Sequence, residues 1–110
     1  MEMNNETKEK ISQLQLFEQN INALLGKKQQ FQSQLMEVES ALEELDSSKK
    51  TYKIVGNIMV LSNKKDLKED LESKKEKLNL RLNSLSKQED RIRKKAKDLQ
   101  QEVLSQMESD

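Results

Sequence analysis

Apolar side chains recur every three or four residues over most of this chain, and the rhythm breaks once, between Asp46 and Ser62. From Leu14 a heptad register places Leu14, Ile21, Lys28, Leu35 and Leu42 at a, and Phe17, Leu24, Phe31, Val38 and Leu45 at d, with Lys28 the single polar member. A repeat of 3.5 kept for five heptads without proline predicts a coiled-coil seam with a left-handed supercoil. A helix from about Glu6 to Asp46 would span roughly 60 Å at about 1.5 Å per residue. Gly26 falls at an outer f position, where it costs only about 1 kcal/mol of local helix stability. It is read as tolerated, not as a hinge.

The break is as informative as the repeat. Thr51–Leu61 holds two short β-prone runs that meet at Gly56-Asn57, near the midpoint of the 110 residues. Glycine at the first central position supplies the positive φ of a type II′ turn, so this stretch is predicted as a β-hairpin. The turn sets the register: Val55 opposite Ile58 and Lys53 opposite Val60 on one face, Ile54 opposite Met59 and Tyr52 opposite Leu61 on the other. Both faces are then largely apolar and both edges open. A lone two-stranded hairpin is marginal in water, so Tyr52, Ile54, Val55, Gly56, Asn57, Ile58, Met59, Val60 and Leu61 are the expected oligomerisation surface, covered by other chains.

A second helix is predicted from about Asn63 to Met107, with Asn63 and Asp66 approximating a capping box. Its strong seam is Leu71, Leu78, Leu85, Ile92 and Leu99 at d; its weaker one is Lys75, Leu82, Glu89, Ala96 and Val103 at a. Reflecting the chain about the Gly56-Asn57 turn makes every a meet a d, the layering of an antiparallel pair. Under that reflection Lys28 shares a layer with Leu85, and Glu89 shares the adjoining one with Leu24. Two readings stay open: a partly buried Lys28–Glu89 pair that fixes register, or two side chains that snorkel to water.

Composition narrows the function. With 36% charged and 3% aromatic residues and a mean hydropathy of −0.98, the chain is too polar for a compact globular core. Its 20 basic and 20 acidic residues leave no net charge to draw it to nucleic acid or anionic lipid. No apolar run approaches the roughly 20 residues of a membrane span, and Met1-Glu2-Met3-Asn4 has no secretory pattern, so a cytoplasmic location is expected. There is no Cys and no His, and Gly26 and Gly56 are the only glycines. Thiolate metal sites, histidine acid–base chemistry and glycine-rich phosphate loops are therefore excluded, and no enzyme activity, cofactor or metal is expected.

Two surface features remain. Ile11, Leu16 and Leu104 lie off the seam at the end remote from the hairpin, with Val103 and Met107 close by, an excess of apolar surface suited to weak, promiscuous contact. The alternative is ordinary packing against a neighbouring chain. Arg91-Ile92-Arg93-Lys94-Lys95-Ala96-Lys97 is the one strong basic cluster, read as a solvated coil face before a dock for an acidic partner. It has no interleaved aromatics, and Asp90 and Asp98 flank it, which argues against nucleic acid.

Helix, hairpin and helix together, with Tyr52-Lys53-x-Val55-Gly56-Asn57-Ile58-Met59-Val60 at the centre, resemble the β-type subunits of archaeal prefoldin. Ala41-Leu42-Glu43-Glu44-Leu45 before the hairpin, the leucine-spaced second helix, the Gln-rich first helix and Asp98-Leu99-Gln100-Gln101-Glu102 carry the likeness over nearly the whole chain. Residues 1–10 depart from it, being more charged than the family's Gln-rich, weakly apolar opening. The resemblance implies a single domain over 1–110, mainly α, in which a long antiparallel two-helix coiled coil is joined by a central hairpin that completes an intermolecular β-barrel. It implies a hexameric chaperone of two α-type and four β-type chains that binds unfolded polypeptides without ATP and transfers them to a group II chaperonin. Ile11, Leu14, Leu16, Phe17, Val103, Leu104 and Met107 become its expected client-binding tip. The competing reading is a structural or adaptor coiled coil that bridges fixed partners, but such a coil needs no apolar hairpin.

Overall fold

The computed structural model describes residues 4–109. Met1, Glu2 and Met3, part of the opening discussed above, and Asp110 lie outside the described residues. Four elements follow in order: α1 (Asn5–Ser47), β1 (Thr51–Val55), β2 (Ile58–Ser62) and α2 (Lys64–Ser109).

Each helix begins and ends on side-chain chemistry. Asn4 caps α1: its Oδ1 accepts the Thr7 N–H at 2.7 Å, and its carbonyl accepts the Lys8 N–H at 3.1 Å. Asn63 caps α2, accepting the Lys65 N–H on Oδ1 at 2.9 Å and the Leu67 N–H on its carbonyl at 3.0 Å. At the end of α1, the Ser47 and Ser48 hydroxyls donate to the Glu44 carbonyl at 3.1 and 2.8 Å. The Lys64 ammonium donates to the Asp46 carbonyl at 2.9 Å, so the first residue of α2 places positive charge on the carbonyl end of α1.

The two strands form one antiparallel sheet, paired Val55↔Ile58, Ile54↔Met59, Lys53↔Val60, Tyr52↔Leu61 and Thr51↔Ser62. This is the register a Gly56-Asn57 turn dictates. Gly56 has φ 62°, and no other residue described has a positive φ, which fits a type II′ turn and excludes type I′. The open end is tied by the Thr51 hydroxyl, which donates to the Ser62 carbonyl at 2.8 Å.

The chain divides into two compact units, Met1–Lys28 with Ser84–Asp110, and Gln29–Asn83. In the first, Thr7 meets Gln106 and Lys10 meets Glu102, so α1 and α2 run antiparallel. In the second, Phe31 meets Arg81 and Glu39 meets Lys75, with the same sense. All four pairs fall within one residue of the reflection about Gly56-Asn57. Every a and d position assigned from sequence is buried or half-buried, Lys28, Lys75 and Glu89 included. Val38, Leu45 and Leu78 are buried in the hairpin-side unit, Leu85 and Val103 in the other. The seam also continues past Leu14 and Leu99. Thr7, 1% exposed, takes the next a position of α1, and its hydroxyl donates to Gln106 Oε1 at 2.9 Å, one layer beyond that of Lys10 and Val103.

Candidate functional site

The hairpin is the one part of the described chain that buries almost nothing of its own. Tyr52, Ile54, Val55, Ile58, Met59, Val60 and Leu61 are all 48–69% exposed. The helices hide their apolar residues in a shared seam; two strands have two faces and no third strand. An apolar patch of this kind, with unpaired N–H and C=O groups along both edges, favours pairing with strands of another chain. Within the hairpin-side unit the faces differ. Tyr52, Ile54 and Met59 line a groove whose other wall is Ala41, Leu45 and Leu71, with Glu44, Asp70, Lys74 and Lys77 around it. Val55, Ile58 and Val60 are absent from that groove, as is Leu61, whereas Lys53 of their face lines it. The Lys53 ammonium lies 3.7 Å from the Asp70 carboxylate, an exposed pair that ties β1 to α2 and is worth about 0–1 kcal/mol.

A polar centre interrupts the seam of the unit that holds Lys28 and Glu89. Lys28 Nζ donates to Glu89 Oε1 at 3.0 Å, and Arg93 Nε donates to Glu89 Oε2 at 2.6 Å. The Lys28 and Glu89 side chains keep 21% and 12% exposure, so of the two readings left open above the structure chooses the pair. Both carboxylate oxygens are satisfied. The Arg93 hydrogen bond, and after it the Lys28 one, hold the Glu89 carboxyl below the ordinary glutamate range, against the opposing effect of desolvation.

The expected tip residues do not form one patch. Leu14 and Phe17 are half-buried seam residues, and Val103 is 6% exposed, packed within its own chain. Leu16, Leu104 and Met107 are more than half exposed, and Ile11 is half-buried. Carrying the heptads outward puts Ile11 and Met107 at e and Leu104 at b, one flank of the coil, whereas Leu16 at c belongs to the other. Near this end Lys10 bridges Glu6 at 3.5 Å and Glu102 at 3.4 Å. Among the described residues, Arg93 alone of the basic cluster is engaged with a carboxylate, that of Glu89; Arg91, Lys94, Lys95 and Lys97 are exposed.

Met36 and Leu80 are two large exposed apolar residues of the hairpin-side unit that sequence reasoning passed over. Their signal was available, since they occupy b and f positions, outside the seam. Among the described residues no group of acidic side chains could hold a metal ion, and no helix is long and apolar enough to cross a membrane.

Comparison with known proteins agrees with this architecture. A family model described as prefoldin subunit matches residues 8–109. The chain is similar to the prefoldin subunit beta of Archaeoglobus fulgidus, 35% identical over 96 residues that cover 84% of this chain and 83% of that protein. It is also similar to the prefoldin subunit beta of Methanococcoides burtonii, 38% identical over 100 residues that cover 88% and 86%. The crystal structure of the prefoldin beta subunit from Thermococcus strain KS-1 superposes with a TM-score of 0.89 at 30% identity, covering 94% of each chain.

Proposed function

The chain belongs to the prefoldin subunit family, and from that premise we propose that it works as a β-type chaperone subunit in a cytoplasmic complex of two α-type and four β-type chains. In this reading the hairpins of several chains close into a shared β-barrel platform. The coil ends remote from it hold unfolded polypeptides without ATP and pass them to a group II chaperonin. The observation that carries the reading is the hairpin: seven apolar side chains exposed on two faces, on a pair of strands whose edges are both unpaired. A closed barrel removes the edges and covers at least one face, which no helical adaptor would need. The grip is drawn to Leu104, Met107 and the adjoining Ile11 on one flank and Leu16 on the other, because exposed apolar side chains at the rim of a polar coil suit many sequences weakly.

Native mass spectrometry of the chain alone and with an α-type subunit, followed by an aggregation assay on a chemically unfolded protein, tests it. Hairpin-dependent oligomers that suppress aggregation without nucleotide are expected. A strictly monomeric chain in both mixtures, or an absolute ATP requirement, would refute the proposal.

A further inference from the structure

Three half-buried a positions of the two coil helices carry charge, Lys28, Lys75 and Glu89, and each of these has a partner inside its own chain, whereas Lys68, at the first a position of α2, is exposed. Lys28 and Glu89 meet at 3.0 Å, and Lys75 lies 3.9 Å from Glu39. Apart from these positions, each helix carries the seam of a self-pairing coil. The d series of α2, Leu71, Leu78, Leu85, Ile92 and Leu99, would suit a parallel zipper, and α1 would offer Leu14, Ile21, Leu35 and Leu42 at a. In a parallel pair, however, a meets the same a. Two α1 helices would then stack Lys28 on Lys28, and two α2 helices Lys75 on Lys75 and Glu89 on Glu89. In the antiparallel intrachain pair a meets d instead, and the charges at 28 and 89, one turn apart across the seam, find each other.

We infer that the charged a positions are an insulating device: they let the two helices of one chain pair with each other and keep them from zippering in parallel with the same helices of a neighbouring chain. The inference rests on the proposed assembly for its purpose, because hairpins gathered at one end would bring neighbouring coils together with the same polarity. Its chemistry does not depend on that assembly. Arg93 belongs to the device as a positioning residue, since its 2.6 Å hydrogen bond engages the second oxygen of Glu89 and leaves the first for Lys28. The short link through Ser48–Lys50 and the single residue Asn63 already limit slippage within one chain. What the charges add is discrimination between chains.

The chain has no cysteine, so a single reporter thiol is unambiguous. L14C, at an a position of α1, comes within disulfide distance of its copy when two α1 helices lie side by side in parallel, and its intrachain layer offers no second thiol. Three backgrounds are compared under mild oxidation: native charges, K28L/K75L/E89L, and the swapped set K28E/E89K/R93E. The leucine background is expected to cross-link faster by about tenfold or more, with helix content and melting temperature maintained or raised. The swapped background keeps like charges in every parallel layer and is expected to cross-link no faster than the native one. Repeating the series with I58D/V60D separates this inference from the assembly reading, because zippering of the leucine variant then depends on concentration alone. Equal cross-linking in the native and leucine backgrounds, with both folded, overturns the inference. So does a swapped background that cross-links like the leucine one.

Discussion

Replacing Ile58 and Val60 by Asp tests whether the hairpin is an interface or an ornament on the coil. In the single chain these side chains are 65% and 48% exposed and contribute little to its own packing. Full burial of such a residue is worth about 1.5–3 kcal/mol, so covering the exposed fractions is worth together about 2–3 kcal/mol per subunit. Losing that term alone weakens association by roughly 30- to 150-fold, at about tenfold for each 1.4 kcal/mol. Two carboxylates placed in an apolar barrel add a desolvation penalty on top. Within the chain the cost is at most about 1 kcal/mol of strand preference at each site, and neither helix seam is touched. I58D/V60D should therefore lose its oligomeric mass in analytical ultracentrifugation while circular dichroism reports nearly unchanged helix. I58V/V60I, which keeps both faces apolar, should retain the mass. An oligomer of unchanged size in the Asp variant would show that the hairpin is not what joins the chains. A collapse of helix content would show that the strands stabilise the coil, contrary to their exposure.

Three further outcomes follow from particular residues. Gly26 sits inside α1 with nothing within 4 Å of where a Cβ would be, so G26A should stabilise the chain by about 1 kcal/mol, read as a higher denaturation midpoint with unchanged slope. Arg93 and Lys28 lower the Glu89 carboxyl, so its contribution is complete above the unfolded glutamate value of about 4.3 and is lost as pH falls through the lower folded value. Melting curves of the native chain and E89Q should therefore differ at pH 7 and converge toward pH 3, and a gap that persists undiminished at pH 3 would exclude the carboxylate as its source. Because Leu16, Leu104 and Met107 are more than half exposed, L16S/L104S/M107S should lower stability by only about 1 kcal/mol per site while suppression of client aggregation falls. Undiminished suppression by that variant in an intact complex would move the grip away from the coil ends.

The seam, the hairpin and its register were legible in the sequence because each rests on local chemistry. A 3.5-residue period marks one helix face, and a glycine at the first turn position sets which strand residues oppose each other. Even the antiparallel layering followed, since the hairpin forces the chain to return along itself. Other features depended on side chains distant in sequence. The seam runs on through Thr7 and Gln106, a layer with no hydropathy signal whose worth lies in a 2.9 Å hydrogen bond between two polar groups. Val103 is buried while Leu104 beside it is exposed, so neighbouring apolar residues expected to act together face different surroundings. The sequence supplied Lys28 and Glu89 as misfits in an apolar series and left them a choice between water and each other. That choice was decided by tertiary structure: the antiparallel partner brings the two charges within 3.0 Å, and Arg93, one turn from Glu89, satisfies the remaining oxygen. Which hairpin face turns toward its own helices was likewise undetermined by the strands. Alternation makes both faces largely apolar, with Lys53 the one charge on them, and the groove that Tyr52, Ile54 and Met59 share with Ala41, Leu45 and Leu71 exists only once the hairpin stands beside the helices.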